Sequence, residues 1–225
     1  MNFITKLMST TTKSTLNTSQ EFALARRNLA QDPSILNAVI QVIVGPNGEL
    51  KPDSTPMSKI VHGLLKSATP PYPIDNGRFY VLRNRPENDL HWNDSDPEWI
   101  GKASMSLHHA FVVPGKELMA NWKLSFNALT FPATKETLNM LEEMRKGALS
   151  YAQQNFTFDD RNNSIDPPQS SEIGLYFHVF PNNSIHHLHL HIIDLRFLGP
   201  TFSALQYKNL SIDSVISVIK QEMSQ

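Results

Sequence analysis

The run His187-Leu188-His189-Leu190-His191-Ile192-Ile193 constrains this chain more than any other stretch of its 225 residues. Successive side chains of a strand point to opposite faces, so His187, His189 and His191 are expected on one face and Leu188, Leu190 and Ile192 on the other. Aliphatic side chains gain free energy by leaving water, which makes the leucine face part of a core and leaves the imidazole face beside a cleft. A lone histidine in a strand is ordinarily a satisfied polar residue. Here four of the nine histidines fall between positions 186 and 191, a concentration that calls for a chemical reason.

Around that strand the hydrophobic periodicity predicts alternating local structure. Residues 20–31 carry Phe22, Leu24, Ala25 and Leu29 at helical spacing behind Ser19 as a cap. The β-branched stretch 35–44 ends at Gly45-Pro46-Asn47-Gly48 and reads as a strand closed by a turn. Residues 51–56 read as a linker, and 57–67 as one or two helical turns stopped by Pro70, Pro71 and Pro73. Strands are predicted over 78–83, 107–113, 174–180 and 187–197. A long polar loop is predicted over 84–103, with Trp92 and Trp99 in it. Leu138, Leu141, Met144, Ala148 and Ala152 mark a long helix over 133–156, and Ile212, Val215, Ile216 and Ile219 mark a closing helix within 210–223. Strands with interspersed helices, without a regular strand-helix alternation, predict an α+β fold on an antiparallel sheet. The division expected is an N-terminal extension over 1–57 (tail, short helix, strand) and a catalytic domain over 58–225.

Composition narrows the function. Twenty basic against 21 acidic residues provide no field to hold a long polyanion, so extended DNA or RNA is not the expected partner, whereas one nucleotide needs only a local pocket. No apolar stretch approaches the roughly 20 residues of a membrane span. The absence of cysteine removes disulfides, thiolate metal sites and a cysteine nucleophile, and suits a reducing, cytoplasmic compartment. Residues 1–19, with Lys6, Lys13, no acid and many Ser and Thr, read as a plain adaptable tail rather than a targeting signal.

Three imidazoles spaced two apart suit either of two tasks: binding a transition metal, or nucleophilic and proton-transfer chemistry near neutral pH. For metal, a third ligand and an outer shell would come from elsewhere, with His109, His178 and Asp194 as candidates. For covalent catalysis the needs are a histidine nucleophile, a neighbour to hold its tautomer, and donors for phosphate oxygens.

The pattern His-φ-His-φ-His-φ-φ (φ apolar) is met in full by residues 187–193, and the chain thereby resembles the histidine-triad superfamily. His109-Ala110-Phe111-Val112-Val113-Pro114 resembles that superfamily's second histidine strand. Leu82-Arg83-Asn84-Arg85-Pro86 resembles the strand end where an asparagine meets the nucleotide ribose. Leu175-Tyr176-Phe177-His178-Val179-Phe180-Pro181 and the stretch 209–219 resemble the C-terminal domain of scavenger messenger-RNA decapping enzymes.

This resemblance implies a histidine-triad-like fold and cleavage of a phosphoanhydride in a small nucleotide, with His189 attacking the α-phosphorus. His187 and His191 would orient His189 and donate to phosphate oxygens, Asn183 and Ser184 would hold developing charge, His109 would complete the pocket, and Asn84 would meet the ribose. It implies no metal or other cofactor, and a homodimer. The stretch Asn182-Asn183-Ser184-Ile185-His186 departs from the group's tyrosine-rich phosphate contacts, and the large N-terminal cap-clasping domain is not recognisable. His178 reads as a packed strand histidine and His186 as a surface or interface one.

Overall fold

The computed structural model describes residues 15–225. The helices, in chain order, are α1 (Ser19–Gln31), α2 (Ser34–Ile43), α3 (Pro56–Val61), α4 (Pro86–Leu90), α5 (Lys116–Met119), α6 (Trp122–Ser125), α7 (Lys135–Asn155), α8 (Pro200–Leu205) and α9 (Ile212–Met223). The strands are β1 (Tyr72–Ile74), β2 (Phe79–Arg83), β3 (His109–Pro114), β4 (Ile173–Phe177), β5 (Leu190–Asp194) and β6 (Leu210–Ser211). They form one six-stranded sheet in the order β1-β2-β3-β5-β4-β6, antiparallel at every pairing. The fold is the α+β arrangement expected.

Both faces of this sheet are covered, and by different parts of the chain. On one face Val81, Ala110, Val112, Leu175, Phe177, Leu190 and Ile192 meet Met140, Leu141, Met144, Ala148 and Ala152 of α7 and Val215 and Ile219 of α9. Helix α7 forms because Thr134 caps it, accepting the Thr137 N–H, and because its apolar residues recur every three or four positions. On the other face Leu82 and Val113 join Leu36, Ile43, Leu50, Met57, Val61, Met119 and Phe126 in a second core. That second core is built largely from residues 36–61.

Several local expectations change. Residues 35–44, read as a strand, form helix α2: Leu36, Val39, Ile40 and Ile43 recur at helical spacing toward the second core, while Val42 stays exposed. In a short, continuously apolar run the periods of two and 3.6 are hard to tell apart, so tertiary packing decides. The turn at 45–48 forms, with Gly48 at φ 81° and the Gly45 N–H on the Glu49 carbonyl. Helix α1 is capped one residue earlier than expected, by Thr18, in a capping box with Glu21. Helix α3 stops before the prolines, at Gly63 with φ 75°, a conformation glycine adopts freely.

The loop 84–103 contains α4, and Trp99 stacks on His91 at 3.6 Å. The tail expectation for residues 1–14 lies outside the described residues, but Leu16 is buried, with its N–H on the Tyr207 carbonyl. Strand β5 begins at Leu190 rather than at 187. The preceding segment leaves the ladder because the Leu188 N–H bonds the Ser125 carbonyl at 2.8 Å. Among the described residues no helix is long and apolar enough to cross a membrane.

Candidate active site

Strand register brings the first two histidines together. In the β3–β5 ladder Phe111 lies opposite His191 and His109 opposite Ile193, so His109, Phe111 and His191 share the sheet face away from α7. The Phe111 ring lies 4.6 Å from His109, 5.0 Å from His191 and 6.0 Å from His189. His178, just beyond β4, comes within 4.0 Å of the His191 ring. His109, His178, His187, His189 and His191 are all buried.

The hydrogen bonds determine where each proton sits. A carbonyl only accepts, so His189 Nδ1–H donates to the His187 carbonyl at 2.7 Å, and the lone pair of His189 is left on Nε2. The Met105 N–H donates to His109 Nδ1 at 3.2 Å, which places the proton of neutral His109 on Nε2. That proton is donated to His191 Nδ1 at 3.0 Å, and the proton of His191 therefore sits on Nε2, a buried atom with no partner. His178 Nε2–H donates to Asn209 Oδ1 at 2.8 Å.

Burial pulls these rings toward neutrality. Loss of water brings His189 down to about 4, opposed by its bond to the His187 carbonyl and reinforced by the Lys208 ammonium. Burial, aided by the Arg83 guanidinium, takes His109 to about 3. His187 also falls to about 3, by burial and by His189. Burial sends His191 and His178 well below the ordinary histidine range, and Lys208 acts in the same direction on both. Near pH 7 the site therefore holds neutral imidazoles in a field set by neighbouring cations.

The sequence-predicted residues are placed unevenly. His189 and His191 face each other at 4.9 Å, and His109 joins them. The His187 ring turns instead to Thr55, its Nδ1 3.2 Å from the hydroxyl, and touches the group through its carbonyl. Asn183 is buried on the 181–189 segment. Its Nδ2 bonds the Ile185 carbonyl and its Oδ1 is unpartnered. Ser184 is exposed on the same segment. Asn84 bonds the Arg85 N–H, Asn88 and Ser104 within its own loop. Thr55 and Lys208 carried no signal in the sequence, and Asn209 only as the start of the 209–219 resemblance, because only chain closure brings them to the histidines.

One ring nitrogen from each of His178, His189 and His191 lies within 4.8 Å of the others, close enough in principle for a metal ion. The proton pattern opposes that use: His191 Nε2 carries a hydrogen, and the nearby charged groups are cations. A site with an unpaired N–H donor, a free imidazole lone pair and a positive field is suited to an anionic, electrophilic group.

A family model described as scavenger mRNA decapping enzyme C-term binding matches residues 85–205. The chain belongs to this family. Its place in the histidine-triad superfamily follows, with the mixed helix and antiparallel sheet that superfamily uses. The matched span of the decapping-type domain includes His109, His178, Asn183, Ser184, His187, His189 and His191, and leaves Thr55, Asn84, Lys208 and Asn209 outside. No curated protein matches the chain.

Proposed function

We propose that this decapping-family chain hydrolyses or transfers across a phosphoanhydride of a small nucleotide, through a nucleotidyl-histidine intermediate on His189. The observation that carries the reading is the pairing of His189 Nδ1–H with the His187 carbonyl, which leaves Nε2 as a lone-pair donor next to the unpaired Nε2–H of His191. His189 Nε2 attacks the α-phosphorus, the P–N bond forms as the P–O bond to the leaving phosphate breaks, and water then cleaves P–N. One hard hydrolysis becomes two easier displacements.

His191 donates to a phosphate oxygen as charge builds there, and His109 holds His191 in the donating tautomer. In this reading Asn183, whose Oδ1 is unpartnered, and Ser184 contact the phosphates, and Asn84 leaves its loop partners to meet the ribose. The substrate is a nucleoside polyphosphate, dinucleoside polyphosphate or cap-like dinucleotide, acted on by a homodimer. Light scattering from a size-exclusion column reads that oligomeric state.

His189→Asn is expected to retain nucleotide binding and to lose hydrolysis of a panel of capped and dinucleoside substrates. Full residual turnover in that variant rejects the proposal. A chelator is expected to leave turnover unchanged, whereas the metal-dependent alternative requires its loss. A nucleotide sensor without turnover would bind the panel and release no product in any variant.

A further inference from the structure

Thr55 lies 132 positions before His187 and outside the span the family model matches, yet its buried hydroxyl meets His187 Nδ1 at 3.2 Å. That hydroxyl already accepts the Ser58 N–H at 3.0 Å, as the cap of α3. Its own proton has no other acceptor among the described residues, so Thr55 O–H donates to His187 Nδ1, and the proton of neutral His187 sits on Nε2. His187 is thus gripped at three points. Thr55 holds its ring, the His189 Nδ1–H bonds its carbonyl at 2.7 Å, and the following amide, that of Leu188, is tied to the Ser125 carbonyl at 2.8 Å.

We propose that Thr55 is a positioning residue for the nucleophile, holding His187 so that the His187 carbonyl keeps the proton of His189 on Nδ1 and the lone pair on Nε2. The kinetic part of this inference rests on the nucleotidyl-transfer reading; the proton positions do not. Without the hydroxyl, His187 Nδ1 becomes a buried acceptor with no partner. The ring, whose Nε2 is already buried without a partner, relieves this by rotating out of its seat, and the strain it places on the 187–188 backbone against the Ser125 bond shifts the carbonyl that orients His189. Thr55, expected in a linker over 51–56, instead caps α3, which packs Met57 and Val61 into the second core and serves as a rigid mount.

The test compares the full-length wild type, Thr55→Ser and Thr55→Val. Two-bond nitrogen-proton NMR of the histidine rings is read beside steady-state turnover of a capped dinucleotide and a dinucleoside polyphosphate. Wild type and Thr55→Ser are expected to show His187 protonated on Nε2 and His189 on Nδ1. In Thr55→Val both rings are expected to become tautomer mixtures, with kcat down about tenfold and KM unchanged, since small misplacements of reacting groups act on kcat.

A wild-type spectrum with His187 protonated on Nδ1 overturns the proposal without any variant. A folded Thr55→Val protein with both tautomers and kcat unchanged overturns it too. Changed tautomers in a protein that turns over no nucleotide support the positioning and overturn only the reaction.

Discussion

A carbonyl oxygen accepts and never donates, and from that asymmetry the proton pattern of the site follows ring by ring. His189 must show its lone pair on Nε2 because Nδ1–H is committed to the His187 carbonyl. His191 must show a hydrogen on Nε2 because its Nδ1 takes the proton of His109. His109→Ala is therefore expected to lower kcat by about 10²-fold, as loss of one preorganised transition-state donor does, with little change in KM. His109→Gln retains an N–H able to reach His191 Nδ1 and is expected to keep more activity than the alanine variant. Equal kcat for both variants would show that the bond to His191 does not matter. The histidine run was legible in the sequence from its spacing, and His109 from its resemblance to the family's second histidine strand, although of His187, His189 and His191 only the last lies within β5. The orientation of the His187 ring was not, since its partner at Thr55 is fixed by packing between distant segments.

Among the elements, α7 and α2 show how far periodicity alone reaches. Helix α7 announces itself: its apolar stripe is long, interrupted by polar residues and capped, and the structure buries Met140, Leu141 and Met144 completely against the sheet. Leu141→Ala is expected to cost about 2–5 kcal/mol by creating a cavity in a core with little room to collapse, measured by urea unfolding. Thr18→Ala removes the capping box of α1 and is expected to cost about 1 kcal/mol. A smaller loss at Leu141 than at Thr18 would contradict the packing described for α7. Helix α2 was read as a strand because Ile and Val dominate it. Residues with high strand preference nevertheless become helical where a helix buries them better, and here the second core receives Leu36 and Ile43.

Across the whole molecule, the buried neutral histidines couple folding to pH. An unfolded histidine titrates near 6.5, whereas His189 lies at about 4 and His109 and His187 at about 3 in the folded chain. Between those values the unfolded chain binds more protons, so stability falls as pH drops below about 6.5 and is independent of these groups above it. Each such histidine contributes up to about 1.4 kcal/mol per pH unit within that window. The melting temperature is expected to be level from pH 8 to 7 and to fall steeply from pH 6.5 to 5. A level profile down to pH 5 would mean that these rings are hydrated or paired with anions.

The amino-acid sequence by itself determined the α+β class, the long helix and the extended histidine run, because each depends on the periodicity of neighbouring side chains, and the family resemblance of residues 109–114 pointed to His109. Only the tertiary structure decided that residues 36–61 back the site rather than trail from it, that Asn209 orients His178, and that Thr55 holds His187. Those contacts join segments far apart in the chain, and which buried donor meets which buried acceptor is set by how two cores close on one sheet.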